Sequence, residues 1–157
     1  MDNDDEVLIA NVLRELGVTQ EQVNSGQRVP LKIFSQVLSM PGTGFKRLGL
    51  DAAVAAGTFD DWESAFQISE RLLKEGDTAS ATKLWHIKSL VELERFSEAL
   101  ALATPVDWPQ SLRVHADFLT ATCFDRLKMK AQAQSYYENV KKLDPEYPGL
   151  FGIEFDS

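Results

Sequence analysis

Apolar residues recur along most of this chain at the three-and-four spacing of an amphipathic helix. With glycine, proline and capping residues taken as helix ends, the pattern predicts six consecutive helices after residue 44. The predicted spans are 45 to 56, 60 to 75, 79 to 93, 96 to 104, 109 to 126 and 129 to 143. No stretch alternates between apolar and polar residues for long enough to predict a strand. We therefore expect an all-α fold in which these six helices form three hairpins.

The first 40 residues contain two further apolar stripes. One stripe, within residues 7 to 16, is followed by Gly17, and the other begins at Pro30. We expect a helical hairpin over residues 1 to 40, followed by a hinge at residues 40 to 44, where one proline and two glycines occur. This hairpin would either cap the helices that follow it or form a separate docking or dimerisation element.

Shifting the sequence by 34 residues aligns positions of similar size and polarity. Apolar residues match in four of five columns: Ala65, Ala99, Ala133; Ala56, Leu90, Phe124; Ala53, Ile87, Ala121; Leu72, Val106, Val140. The fifth column is Trp62, Phe96, Lys130. Such a period is expected where stacked helix pairs share a continuous core, because one pair alone cannot bury both of its faces.

The last of these units carries the most specific motifs. They are Thr120-Ala121-x-x-Phe124, Ala133-x-x-x-Tyr137 and Pro145. On these motifs the chain resembles the tetratricopeptide repeat family over about residues 46 to 145. The resemblance implies a superhelical solenoid of three repeats, at about 46–78, 79–112 and 113–146. The middle unit departs from the family pattern at Pro105, which would shorten its second helix.

In that family the first helix of each repeat lines a concave groove, and the resemblance implies the same role for the matching positions here. They are Arg47, Leu50, Val54, Leu84, Lys88, Val91, His115, Phe118, Thr122 and Asp125. Their mixed apolar and polar character suits an extended or helical peptide.

One branch of the family binds a terminal carboxylate through lysine, asparagine and arginine side chains. The corresponding positions here are Leu50, Val54, Trp85, His115 and Leu119. Uncharged side chains of this kind do not stabilise a buried anion, so we do not expect a carboxylate clamp.

Residues 147 to 157 form an unusually apolar tail. Its candidate contact residues are Leu150, Phe151 and Phe155. They would either fold back over the last hairpin as a cap or contact a partner or second copy of the chain.

Few residues support catalysis, which needs a nucleophile, a base and an orienting group that converge. His115 and Cys123 lie eight positions apart on one predicted helix. This separation corresponds to a rise of about 12 Å, too far for direct proton transfer. We expect no enzymatic activity, no cofactor and no metal site.

Composition narrows the classes of partner further. The chain has 16 Lys and Arg against 24 Asp and Glu, a formal charge of −8, which disfavours nucleic acid and anionic membranes as partners. A single cysteine favours a reducing, cytoplasmic location.

We therefore expect a protein-binding module, an adaptor or assembly factor, that binds a peptide segment or partner domain in its groove. One alternative is a small acidic repeat chaperone for a secreted or aggregation-prone client. A second is an enzyme or regulator on an unrelated helical bundle. Homo-oligomerisation through the N-terminal hairpin or the tail remains open at this point.

Overall fold

The computed structural model describes residues 37 to 150 of the chain. These residues form six α-helices and a short 3-10 helix, Pro148–Leu150, with no strand among them. The α-helices are α1 Gly42–Thr58, α2 Trp62–Lys74, α3 Ser80–Glu92, α4 Phe96–Ala103, α5 Gln110–Arg126 and α6 Lys130–Leu143. The all-α prediction is thus confirmed for these residues. The hairpin predicted over residues 1 to 40 lies outside them, except for its last four residues.

The six helices begin and end within three residues of their predicted limits. The predicted hinge at residues 40 to 44 is wrong in its second half, because α1 already begins at Gly42. The Phe45 N–H donates to the Pro41 carbonyl at 2.9 Å and closes the first turn. Proline at the residue before a helix and glycine inside it are compatible with this start, although both favour turns elsewhere.

The first helix was predicted to end at residue 56, but α1 continues through Gly57 to Thr58. The reason is close packing. A Cβ atom at Gly57 would lie 2.6 Å from ring atoms of both Trp62 and Trp85. Only glycine lets the two indoles approach the α1 backbone this closely.

Three turns share one backbone geometry, namely those that join α1 to α2, α3 to α4 and α5 to α6. Each turn holds a residue other than glycine in the left-handed region: Asp60 at φ 61°, Glu94 at φ 61° and Lys128 at φ 64°. The residue after each donates its N–H, at 2.8 Å, to a carbonyl five positions back: Asp61 to Ala56, Arg95 to Leu90 and Met129 to Phe124. This pattern is the Schellman motif. The 34-residue period of the sequence is therefore also a period of backbone geometry.

Most of the aligned small and aliphatic positions are buried in all three repeats. Relative exposures are 0% for Ala53, Ala56, Ala65, Ala99, Ala121 and Val140, 1% for Ile87 and Leu90, 2% for Ala133 and 3% for Leu72. Val106 and Phe124 are half-buried. In the remaining column Trp62 and Phe96 are half-buried and Lys130 is exposed. The repeat columns are thus mainly the core positions of the helices.

The chain divides into two compact units within α3, the first ending at Ser89 and the second beginning at Leu90. In the first unit α1 packs against α2, and the core includes Phe45, Ile68 and Leu72. In the second unit α5 packs against both α4 and α6.

Arg71 of α2 fixes the segment that precedes α1. Its guanidinium donates to the carbonyls of Leu38, at 2.5 Å, and Met40, at 2.9 Å. The same group lies 3.9 Å from the centroid of the Phe45 ring, within cation–π distance. One side chain thus holds residues 38 to 40 beside α2.

No helix among residues 37 to 150 is long and apolar enough to cross a bilayer.

Candidate functional site

In the first unit, Lys88 lies beside a pair of tryptophans. Trp85 and Lys88 are three positions apart on α3, so they share one face of that helix. The Trp85 ring contacts the Trp62 ring with centroids 5.5 Å apart and planes tilted by 38°. The Lys88 Nζ atom lies 5.6 Å from the Trp62 ring centroid, within the range of a cation–π contact. We call Trp62, Trp85 and Lys88 the tryptophan surface.

The two indole N–H groups of this surface differ in their partners. Trp85 Nε1 donates to the Ala53 carbonyl at 2.9 Å, which fixes the ring on α1. No acceptor for Trp62 Nε1 is found among residues 37 to 150, and no partnerless polar side-chain atom is buried there. The Trp62 N–H is therefore accessible to an outside acceptor, and it lies on a half-buried ring.

Three other predicted groove positions of the first unit, Leu50, Val54 and Leu84, are half-buried. Leu50 packs against the core formed by α1 and α2, and Val54 and Leu84 also keep part of their surface exposed. Arg47 lies in α1, but its side chain is outside the described part of the structure. Among the predicted positions, Lys88 lies over the Trp62 ring.

In the second unit, the chain's own C-terminal residues cover part of the predicted groove face. His115 Nδ1 and the Tyr147 hydroxyl form a hydrogen bond of 2.8 Å. The Phe118 ring packs against the Tyr147 and Tyr137 rings, with ring centroids 5.2 Å and 5.9 Å away. The Gly149 backbone lies so near that a Cβ atom there would be 2.6 Å from Phe118 Cζ. A partner at Phe118 would meet residues 147 to 149 first.

The remaining predicted positions of this unit differ in accessibility. Val91 is only 8% exposed, so it cannot contact a partner without a change in the surrounding structure. Thr122 is half-buried; its hydroxyl donates to the Phe118 carbonyl at 2.9 Å and also forms a hydrogen bond with Tyr137. Asp125 is exposed.

Leu150, the first candidate contact residue of the tail, is buried at 8% exposure. It packs in a core cluster with Ala121, Ala133, Tyr137 and Val140 of its own hairpin. At this residue the tail has the arrangement expected of a C-terminal cap. Phe151 and Phe155 lie outside the described residues.

One pair of side chains has the composition of a nucleophile and a base. Ser69 Oγ lies 2.8 Å from His86 Nδ1, and the His86 ring stacks on Phe66 with centroids 5.2 Å apart. Ser69 is fully buried and also donates to the Ala65 carbonyl at 2.8 Å, while His86 is 6% exposed. The pair joins α2 to α3 in the core, and its geometry gives a substrate no access to the hydroxyl.

Burial also governs the titratable groups of the second unit. Burial raises the pKa of the Cys123 thiol to about 11, which makes it a poor nucleophile. Burial raises the pKa of Asp117 as well, although a hydrogen bond from Asn139 and the charge of Arg113 oppose the shift. No cluster of three His, Cys, Asp or Glu residues that could hold a metal ion occurs among residues 37 to 150.

A shallow cavity of about 260 Å³ lies on α6. It is lined by Ser135, Tyr136, Glu138, Asn139 and Lys142, all from that one helix. Because Asn139 Nδ2 donates to Asp117, its amide oxygen is left as an acceptor on the cavity side. This polar depression lacks the converging elements that typically enclose a small molecule.

No family model, curated protein or solved structure matches this chain.

The sequence predicted Lys88 as a groove residue. It did not predict that Trp62, aligned in a repeat column, and Trp85 would lie beside Lys88. The three-residue spacing of Trp85 and Lys88 on one helix was the signal that could have shown them to share a face. The apolar tail allowed a cap over the last hairpin, but the contacts of Tyr147 and Gly149 with Phe118 could not be predicted because they depend on tertiary packing.

Proposed function

We propose that this chain is a non-catalytic protein-binding module built from three stacked helix hairpins of the tetratricopeptide repeat type. The observation that carries the proposal is the recurrence of one turn at Asp60, Glu94 and Lys128, with the same left-handed residue and the same Schellman hydrogen bond. Identical turns give successive hairpins similar shapes, and similar hairpins can stack through one repeated interface. Solenoids of this kind use extended surfaces for binding.

We assign the binding site to the tryptophan surface of the first unit. Tryptophan is enriched among the residues that dominate binding energies, because a large ring is desolvated and its N–H can still donate. Here the Trp62 N–H is an accessible donor, and the Lys88 ammonium beside that ring adds positive charge. The surface suits a peptide that places an apolar side chain on the indoles and a carbonyl or carboxylate oxygen near the donors.

The second unit supports this assignment by contrast. There the predicted positions His115 and Phe118 are engaged by Tyr147 and Gly149 of the same chain. A ligand would have to displace these contacts before it reached Phe118, which would lower its apparent affinity. On the tryptophan surface, by contrast, the Trp62 N–H has no acceptor among residues 37 to 150.

Site-specific photo-cross-linking of the full chain in its source cells tests the proposal. A photoreactive phenylalanine analogue at Leu84, on the same helix as Lys88, is expected to capture a defined protein partner. The same analogue at Gln67, an exposed position on α2, is the matched control. Equal capture at both positions, or none at Leu84, would contradict the proposal.

Two variants link the captured partner to the surface. Trp62→Phe keeps an aromatic ring but removes the N–H, and Lys88→Glu reverses the charge above it. Each is expected to weaken binding about tenfold, an effect typical of a central contact residue. Lys46→Glu, which makes the same charge change at an exposed position of α1, is expected to bind like wild type. Unfolding curves for each variant separate lost binding from lost structure.

A further inference from the structure

The three repeated turns differ in how they satisfy the helix that follows. In the first turn Asp61 caps α2, accepting from the Ser64 N–H at 3.2 Å and from its hydroxyl at 2.7 Å. In the second, Arg95 provides no side-chain cap to α4 but forms an ion pair with Glu98 of that helix at 2.8 Å. In the third, Met129 occupies the same position and provides no side-chain cap to α6. Methionine lacks the oxygen acceptor that a helix N-terminus favours.

The third turn, residues 126 to 130, also exposes large apolar side chains among cations. Leu127 is 37% exposed and Met129 is 39% exposed. Only one other large hydrophobic residue within residues 37 to 150, Leu143, is as exposed. The side chains that alternate with them, Arg126, Lys128 and Lys130, are exposed as well. We call residues 126 to 130 the cationic turn.

Folding does not require this composition. The first turn forms the same backbone with Asp60 and Asp61, and the second forms it with Glu94 and Arg95. The cationic turn thus exposes two large apolar side chains that its backbone geometry does not require. Local rules are broken in this way mainly where a protein has a function to serve.

We infer that the cationic turn binds an acidic protein segment in which apolar residues alternate with aspartate or glutamate. Arg126 already forms an ion pair with Glu94 at 2.9 Å, and its guanidinium carbon lies 5.3 Å from the centroid of the Phe96 ring. Lys128 and Lys130 have no ion pair among residues 37 to 150 and are the charges offered to a partner. Leu127 and Met129 supply the apolar contacts between those charges, and the flexible methionine adapts to different side chains.

The net negative charge of the chain favours a short acidic segment, and not an extended anionic surface, as the partner of the cationic turn. The formal charge is −8, so a bilayer or nucleic acid would approach many carboxylates at once. A short segment at the turn feels mainly charges within about 8 to 10 Å, the screening length in physiological salt. The turn is held by its backbone hydrogen bonds, so little order has to be created on binding. This inference concerns a different surface from the proposed tryptophan site and does not depend on it.

Fluorescence anisotropy with the full chain tests the inference directly. The probe is a labelled peptide of alternating leucine and glutamate. Two peptides of equal length serve as controls, one of glutamate alone and one of alternating leucine and lysine. The first should bind, the second about tenfold more weakly because it lacks apolar contacts, and the third should not bind. Equal binding of all three, or none, would overturn the inference.

Variants of the turn separate binding from folding. Met129→Asp introduces the capping residue found at Asp61, so it should raise the melting temperature while weakening peptide binding about tenfold. Lys128→Glu should weaken binding to a similar extent, whereas Lys46→Glu should not. Wild-type affinity in the Met129→Asp variant, or equal losses in the two lysine variants, would overturn the inference.

Two further measurements address other occupants. Co-sedimentation with vesicles of phosphatidylserine and phosphatidylcholine detects lipid binding, and sedimentation velocity detects self-association. Vesicle binding without peptide binding would overturn the inference in favour of a membrane. Self-association that is lost in Met129→Asp would overturn it in favour of a second copy of the chain.

Discussion

Glycine at the left-handed residue of each repeated turn is expected to stabilise the protein. Asp60, Glu94 and Lys128 have φ values between 61° and 64°, in the left-handed region that aspartate tolerates better than glutamate or lysine. A residue with a Cβ atom loses about 1 to 2 kcal/mol in this region. Glycine avoids that loss but gives the unfolded chain more freedom, which offsets about 0.5 to 1 kcal/mol. The net gain is therefore about 0.5 to 1 kcal/mol per site.

The side chains modify this figure at two of the three sites. Glu94 forms an ion pair with Arg126 at 2.9 Å, but both side chains are more than half exposed. An exposed pair of this kind contributes about 0.2 to 1 kcal/mol, comparable to the gain from glycine. Glu94→Gly should consequently be nearly neutral, Lys128→Gly should show the full gain, and Asp60→Gly should show a smaller one.

Thermal and urea unfolding of the full chain measure the effect. A gain of about 0.5 to 1 kcal/mol corresponds to a rise in Tm of about 1 to 4 °C for a chain of this size. Alanine at Asp60 and Lys128 is the control, because alanine keeps the strain. Destabilisation by glycine at both sites, or equal effects of glycine and alanine, would refute the link between these turns and strain.

Two other substitutions probe the packing and the electrostatics of the helices. Gly57→Ala places a methyl group 2.6 Å from ring atoms of Trp62 and Trp85. The substitution should lower the free energy of unfolding by about 1 to 3 kcal/mol, reduced by the higher helix propensity of alanine. Unchanged unfolding curves and unchanged tryptophan emission would contradict the close approach. Burial raises the pKa of Asp117, so the native state holds this proton more tightly than the unfolded state, and stability should fall as pH rises from about 4 through the native pKa. Asp117→Asn should flatten that fall in urea titrations between pH 4 and 7, and identical slopes in both proteins would contradict it.

The helices were predictable because their signal is local. Apolar spacing and the residues at helix ends act within a few turns of chain, and they gave all six spans. The glycines were misread for the opposite reason. Gly42 and Gly57 favour turns when considered alone, but Gly57 lies within a helix because Trp62 and Trp85 fill the space beside it. What packs against a glycine is set by tertiary structure.

The site was only partly predictable for the same reason. Lys88 followed from the repeat register, and its partner Trp62 lies on a different helix. The engagement of Phe118 by Tyr147 depends on the chain returning over α5 after α6 ends. The turn geometry at Lys128 was also unexpected, because residues with a Cβ atom seldom adopt positive φ. The tetratricopeptide resemblance and the groove remain predictions.

The burial of Cys123 has a practical consequence for work in solution. It is the single cysteine of the chain, and a pKa of about 11 leaves only about one thiol in ten thousand ionised at neutral pH. Maleimide reagents attack the thiolate, so the native sulfur should react very slowly in the folded protein. A dye attached through a new surface cysteine would therefore report from one known position, without prior removal of the natural one.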